Sequence, residues 1–246
     1  MSAARPRTVV VTGGTRGIGR AAVERFAAAG ERVVALGRDT DALATLSVQT
    51  LVCDVTDETA VDATFASIGA VDVLVNNAGI AESAPLHRTT LEVWQRHLTV
   101  NATGAFLCLR AVVGRMRERS SGTIVNVASV AGVTGSPYTA AYTASKHALI
   151  GLTRAAATEL AGTGVTVNAV CPGYVRTEMT ERTISNIVKR TGRSEGEAEA
   201  ALTGMSRLGR LLEPEEVADA IVYLASPAAA AINGQALVID GGGAQA

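Results

Sequence analysis

The segment Thr8-Val-Val-Val-Thr-Gly-Gly-Thr-Arg-Gly-Ile-Gly-Arg20 constrains this chain more than any other. Thr8 to Val11 is an apolar, β-branched run of the kind that forms a strand buried on both faces. It passes directly into Gly13, Gly17 and Gly19. The periodic segment Ile18 to Ala29 follows, with Gly30 as its stop signal. Glycines in such a turn let the backbone bend sharply and approach a pyrophosphate, while the helix start offers free N–H groups to the anion. The spacing is Gly-x-x-x-Gly-x-Gly, not the commoner Gly-x-Gly-x-x-Gly. The strand before and the helix after, rather than the glycines alone, point to a dinucleotide site.

The rest of the chain repeats the same alternation. Strands are expected at 8–12, 32–36, 50–53, 71–75, 123–128, 165–170 and 236–239. Helices are expected at 18–29, 40–46, 57–67, 89–118, 139–161 and 214–225, with a more mobile stretch at 178–206. Apolar runs such as Val71-Asp-Val-Leu-Val75 and Ile124-Val-Asn-Val127 suit strands covered on both sides. The pattern predicts an α/β fold, a doubly wound parallel sheet with helices on both faces. No repeat, linker or low-complexity tract marks a second domain, so residues 1–246 are read as one. With 48% hydrophobic but only 3% aromatic residues, Ala, Val, Leu and Ile must fill the core.

In Ala141-Tyr-Thr-Ala-Ser-Lys-His147, Tyr142 and Lys146 are spaced to share one helix face. An ammonium beside a phenol favours the phenolate and lowers its pKa. That is one way to obtain a general acid/base usable near neutrality. Ser129, at the end of an expected strand, could hold a substrate oxygen beside the pair.

With both halves in view, the chain resembles the short-chain dehydrogenase/reductase family nearly end to end. The residues carrying the resemblance are Thr12-Gly-Gly-Thr-Arg-Gly-Ile-Gly19, Asp54-Val55, Asn76-Asn-Ala-Gly79, Asn101, Ser129, Tyr142 with Lys146, and Pro172-Gly173 with Thr177. It implies a single Rossmann-type domain and an NAD(P)-dependent oxidoreductase with Asn101, Ser129, Tyr142 and Lys146 as a catalytic tetrad. By that carry-over Tyr142 exchanges the alcohol proton and Ser129 hydrogen-bonds the carbonyl oxygen. Lys146 binds the nicotinamide ribose, and Asn101 holds a water that links Lys146 to solvent. The resemblance also places Gly13, Thr15, Arg16, Gly17, Ile18 and Gly19 around the cofactor. It puts Asp54 and Val55 at the adenine, Asn77 and Gly79 at the adenosine ribose, and Pro172, Gly173, Val175 and Thr177 near the nicotinamide. Asn76 is read instead as a brace between strands.

The second strand ends in Gly37-Arg38, and Arg38 could pair with a 2′-phosphate in a charge-assisted contact. Arg16 could approach the same group, and in the resembling family basic residues at these two places mark NADP-preferring members. Asp39 stands where an acid selecting NAD is expected, but it also suits the N-cap of the next helix. The cap is the preferred reading, so NADP(H) is expected over NAD(H).

Net charge is −1 and no basic stripe recommends nucleic acid. The three cysteines, Cys53, Cys108 and Cys171, lie in apolar contexts without metal spacing and are read as buried free thiols. His87, His97 and His147 suggest no metal, and His147 should turn off the catalytic face. Trp94 is read as packing, and Arg115, Arg117 and Arg119 as a solvated helix end. The short segment before the first strand leaves no room for a signal peptide, and no apolar stretch has transmembrane length. A cytoplasmic enzyme is expected, with no membrane partner. The tail Gln235–Ala244 packs across a two-fold axis in relatives, so a homotetramer is expected.

The segment 178–206 forms a substrate lid in the resembling family. Here Ile184, Ile187 and Val188 make an apolar stripe beside Lys189, Arg190 and Arg193, which suits an acyl chain on a phosphorylated carrier. The chain looks most like 3-oxoacyl thioester reductases and polyketide ketoreductases. Carrier-protein reductases often have arginines at the positions of Ser120 and Thr163, which this chain lacks, so CoA is preferred over acyl carrier protein. The expected activity is NADPH-dependent reduction of a 3-keto thioester. A dehydrogenase for small alcohols, ketones or sugars is the enzymatic alternative, and an NADP(H)-sensing regulator the non-enzymatic one.

Overall fold

A computed structural model describes residues 5–204 and 206–244. Met1–Ala4 of the N-terminal segment, Met205 of the lid segment, and Gln245 and Ala246 lie outside the described residues. The strands are β1 (Thr8–Thr12), β2 (Arg32–Gly37), β3 (Gln49–Val52), β4 (Val73–Asn76), β5 (Gly122–Val127), β6 (Val165–Pro172) and β7 (Ala236–Ile239). All pair in parallel, in the order β3-β2-β1-β4-β5-β6-β7. The helices are α1 (Gly17–Ala28), α2 (Thr40–Ala44), α3 (Glu58–Ile68), α4 (Leu91–Leu98), α5 (Gly104–Glu118), α6 (Ala140–Glu159), α7 (Glu178–Thr191), α8 (Glu195–Thr203) and α9 (Pro214–Leu224).

The two-residue period of a strand explains the layers. On β1, Val9 and Val11 pack with Ala22, Phe26, Val217 and Ile221 of α1 and α9. Val10 faces the opposite layer, with Val61 and Phe65 of α3 and Leu107, Val112 and Met116 of α5. β4 and β5 divide in the same way, Val75 and Val125 to one side and Leu74 and Ile124 to the other. A strand covered on both faces has no polar side to show, which is why these runs read as continuously apolar. The doubly wound architecture expected from the alternation is the one observed.

The expected helix at 89–118 is interrupted. Between α4 and α5 the backbone forms a π turn over Thr99–Thr103, and the expected 178–206 stretch resolves into α7 and α8. Asp39 is an N-cap, its carboxylate accepting from the Ala42 N–H at 3.0 Å. Asn76 is a brace, donating to Asn126 Oδ1 (2.9 Å) and the Ala105 carbonyl (3.2 Å).

Other expectations need correction. Trp94 is 37% exposed on α4 rather than packed. Arg119 is not solvated: it donates to the carbonyls of Ser121 and Val71 and faces Asp72, tying the end of α5 to the start of β4. Cys53, Cys108 and Cys171 are buried and unpaired. Among the described residues no helix is long and apolar enough to cross a membrane.

Candidate active site

The order of the strands makes β1 and β4 neighbours whose crossovers leave in opposite directions. A crevice therefore opens at their carboxyl ends, where open α/β sheets bind ligands. The glycine turn closes one side of it. Gly13 (φ +63°) and Gly17 (φ +51°) adopt left-handed backbone. A Cβ on Gly19 would lie 2.2 Å from the Gly13 carbonyl oxygen and 2.4 Å from Asn77 Nδ2, so only glycine fits there. Thr12 and Asn77 pin the turn to β4. Thr12 Oγ1 accepts from the Asn77 and Ala78 N–H groups at 3.0 Å each, and Asn77 Nδ2 donates to the carbonyls of Thr12 (2.9 Å) and Gly13 (3.0 Å). The Asn77 side-chain N–H groups are thus committed to the turn.

The start of α1 fits an anion. Arg16 at its N-cap makes no side-chain cap, and no acidic residue stands in its first turn. The unsatisfied N–H groups and positive end of the helix dipole face the crevice without a resident carboxylate. Thr177 closes over the turn, its Cγ2 lying 2.9 Å from where a Gly17 Cβ would be. Thr15 is buried beneath, with its methyl near Gly37. Gly14 N–H bonds the Leu36 carbonyl at 3.1 Å, so the turn is held to β2 as well.

The two arginines expected at a 2′-phosphate each have a carboxylate partner. Arg38 meets Asp54 at 3.4 Å and is 70% exposed, and Arg16 pairs with Glu178 at the start of α7. Partial burial works to raise the Asp54 carboxyl, but its bonds from Thr56 and the nearby Arg38 outweigh that and hold it below the usual range. Val55 is buried against Gly104.

Across the crevice stand Ser129, Tyr142, Lys146 and Asn101, from three sites along the chain. Ser129 follows β5 and caps a short 3-10 turn, its hydroxyl accepting from the Ala131 N–H at 3.2 Å. Tyr142 and Lys146 lie one turn apart on α6. Lys146 is 5% exposed and donates to the Val127 carbonyl at the end of β5 (2.8 Å), with Nζ 5.8 Å from the Tyr142 ring centroid. Gly79 passes close by: a Cβ there would meet Asn101 Oδ1 at 3.2 Å and Lys146 Nζ at 3.6 Å.

The electrostatics differ from the sequence expectation. Burial raises the Tyr142 phenol above its usual value, partly opposed by a hydrogen bond with Ser129. Burial also pushes Lys146 down to about 8. Desolvation disfavours both charged forms, and burial is the largest influence on the phenol. Cys171, directly behind, is pushed up to about 11 by burial. It is an inert thiol rather than a nucleophile.

Asn101 sits in the π turn, 1% exposed. Its Oδ1 accepts from Ile80 N–H (2.8 Å), and its Nδ2 donates to the Ile80 carbonyl and to Ser145 Oγ (2.9 Å each). Both Nδ2 protons are thus taken by protein acceptors. Pro172 and Gly173 end β6, where Gly173 N–H bonds the Ile239 carbonyl at 2.9 Å. Val175 makes an isolated bridge to Leu212.

Two residues at the site have no distinguishing sequence signal. Ser145, fully buried, donates to the Tyr142 carbonyl at 2.7 Å and ties α6 to Asn101. His97, also fully buried, lies edge-on to the Tyr142 ring at 6.5 Å. The exposed His147 turns off the face as expected. Ser120 and Thr163 lie in the turns before β5 and β6, at the edge of the sheet opposite the crevice. The lack of arginine there therefore gives no information about what enters this cleft.

A family model described as Enoyl-(Acyl carrier protein) reductase matches residues 13–243. The chain is 40% identical over 257 residues to the 3-oxoacyl-[acyl-carrier-protein] reductase of a Synechocystis strain, covering 98% of each chain. It is 38% identical over 254 residues, again 98% of each, to the 2,5-dichloro-2,5-cyclohexadiene-1,4-diol dehydrogenase of Sphingobium indicum. Among solved structures, an actinorhodin polyketide ketoreductase variant with NADPH superposes with a TM-score of 0.94, at 36% identity and over 100% of both chains. The fold, the glycine turn and the Ser129–Tyr142–Lys146 cluster all lie inside the matched region, and the chain belongs to the short-chain dehydrogenase/reductase family of oxidoreductases.

Proposed function

We propose that this protein is an NADPH-dependent ketoreductase that reduces the 3-keto group of an acyl thioester. The observation that carries the reading is the convergence of Ser129, Tyr142 and Lys146 on the crevice beside an uncapped helix start. Gly13, Thr15, Gly17, Ile18 and Gly19 would cradle the pyrophosphate, Arg16 and Arg38 the 2′-phosphate, and Val175 and Thr177 the nicotinamide end. When bound there, NADPH supplies the hydride. Tyr142, a phenol and so protonated at neutral pH, would donate its proton to the carbonyl oxygen as negative charge develops there. Ser129 would hold that oxygen, and Lys146 would hold the ribose of the bound cofactor and steady the site electrostatically.

The thioester is supported by the relative that reduces a 3-oxoacyl carrier protein and by the proposed lid, residues 178–206. On α7, Ile184, Ile187 and Val188 are half-buried, while Lys189, Arg190 and, just past the helix end, Arg193 are exposed. Arg190 reaches the Ser83 carbonyl at 3.4 Å, so the end of the lid touches the crevice wall. An acyl chain under the stripe would leave its phosphorylated carrier beside those cations. The alternative, a small-alcohol dehydrogenase, rests on the similarity to the diol dehydrogenase.

The test is NADPH consumption against NADH, with acetoacetyl-CoA and acetoacetyl carrier protein as substrates and crotonyl-CoA as the enoyl control. Turnover of a 3-keto thioester with NADPH preferred supports the reading. Turnover of cyclic diols with no rate on either thioester would replace it with the dehydrogenase.

A further inference from the structure

We propose that His97 is a positioning residue for the reaction, holding both the Tyr142 ring and the strip of crevice wall opposite it. This rests on the assignment of Tyr142 as proton donor. His97 lies in the last turn of α4 and is 0% exposed. Its Nδ1 is 2.8 Å from the Val93 carbonyl, which can only accept, so Nδ1 carries the proton. Its Nε2 is then an acceptor, and the Glu82 N–H donates to it at 3.1 Å. Both ring nitrogens are satisfied, and one tautomer is fixed by its partners.

The same ring meets Tyr142 at 6.5 Å with an interplanar angle of 82°. That is the edge-to-face arrangement aromatic pairs prefer. The swing of the whole side chain about its Cα–Cβ bond decides where the phenol hydroxyl lies relative to Ser129, so a rigid neighbour packed against the ring limits that swing and sets the proton-donor geometry. Angstrom-scale misplacement at such a centre is worth up to about a hundredfold in rate.

The bond to Glu82 extends the effect across the crevice. The segment from Ile80 to Ala84 has its backbone held at four points: Ile80 by Asn101, Glu82 by His97, the Ser83 carbonyl by Arg190, and Ala84 by a 2.8 Å bond to the Tyr138 carbonyl. The Glu82 side chain also pairs with Arg96. His97 is the one of these tethers that also touches the proton donor. It therefore fixes the spacing between the donor and the wall, the gap a ketone must enter.

The test compares His97→Ala, which loses the ring and both bonds, with His97→Phe, which keeps an aromatic edge against Tyr142 but frees Glu82. Acetoacetyl-CoA is the substrate, with 2,5-dichloro-2,5-cyclohexadiene-1,4-diol oxidation used if the thioester is not turned over. NADPH binding by fluorescence serves as the folding control. We expect kcat in His97→Ala to fall about tenfold or more, with the limb of its pH profile displaced. In His97→Phe we expect kcat within about threefold of wild type but substrate KM raised about fivefold, since the wall has lost its tether. NADPH affinity should stay within about twofold in both. If Ala and Phe lose kcat equally, the edge contact does not position Tyr142. If neither kcat, KM nor the pH profile moves while Tm falls, His97 is packing alone. Either result overturns the inference but leaves the function intact, provided Tyr142→Phe is inactive. An active Tyr142→Phe would instead remove the function.

Discussion

Chemistry at single residues here is set more by burial than by charge. Tyr142 and Lys146 both sit where water is scarce, and each is shifted toward its neutral form. Tyr142→Phe keeps the ring against His97 and removes only the proton. It should lower kcat by about 10²-fold or more, since general acid catalysis contributes about 10² to 10⁴. NADPH binding should persist, and near-wild-type turnover would refute the assignment. Lys146 yields a stability prediction. Its pKa falls from 10.5 when unfolded to about 8 when folded. Between those values the unfolded chain binds more protons, so the lysine's contribution to stability rises with pH across that window. The Tm difference between cofactor-free wild type and Lys146→Met should therefore move in favour of wild type from pH 8 to 10. A difference that is flat with pH would contradict the shift. Arg38→Ala should weaken NADPH far more than NADH, because only the former carries a 2′-phosphate for which Arg38 can exchange Asp54. Equal losses in a titration with both cofactors would end that argument.

At the scale of elements, the π turn and the glycine turn matter most. A regular helix over 89–118 would turn the Asn101 amide to a different angle. The extra residue at Thr99–Thr103 aims it at Ile80 and Ser145, a common use of π turns at functional sites. Apolar periodicity could not show this, because one added residue barely alters the pattern along so long a segment. The glycine turn was legible because steric demands write themselves into residue type. Gly19→Ala places a carbon 2.2 Å from a carbonyl oxygen and should reduce NADPH affinity at least tenfold, as read by fluorescence titration. Gly30→Ala is the control: with φ +81° and open space around it, it should lose roughly 1–2 kcal/mol of stability and no affinity. If both variants bind NADPH alike, the turn is not the cofactor cradle.

For the molecule as a whole, one parallel sheet carries the crevice at its carboxyl edge, and α7 and α8 follow its strand β6. Its β7 edge strand exposes Leu237, Tyr223 of the adjacent α9 is 47% exposed, and Phe106 of α5 is 43% exposed with Arg110 stacked 5.7 Å from its ring. An uncovered edge strand and isolated large apolar groups are features that assembly would bury. We expect a homotetramer, checked by sedimentation equilibrium. A monomer at micromolar concentration would refute that expectation.

The amino-acid sequence by itself determined the alternation of strands and helices, the cofactor turn and the Ser129–Tyr142–Lys146 constellation. Each depends on a local rule: two-residue or helical periodicity, a glycine where no Cβ fits, a spacing of one helical turn. Asp39 was resolved in the same way, since capping is a local bond. Only the tertiary structure decided the ionisation of Tyr142 and Lys146, the pairing of Arg16 with Glu178 and Arg38 with Asp54, and the positions of Ser145 and His97. These depend on which side chains from distant segments exclude water from one another or bring opposite charges together. His97 in particular reads as one more polar residue on a helix until α4, α6 and the Ile80–Ala84 strip close around it.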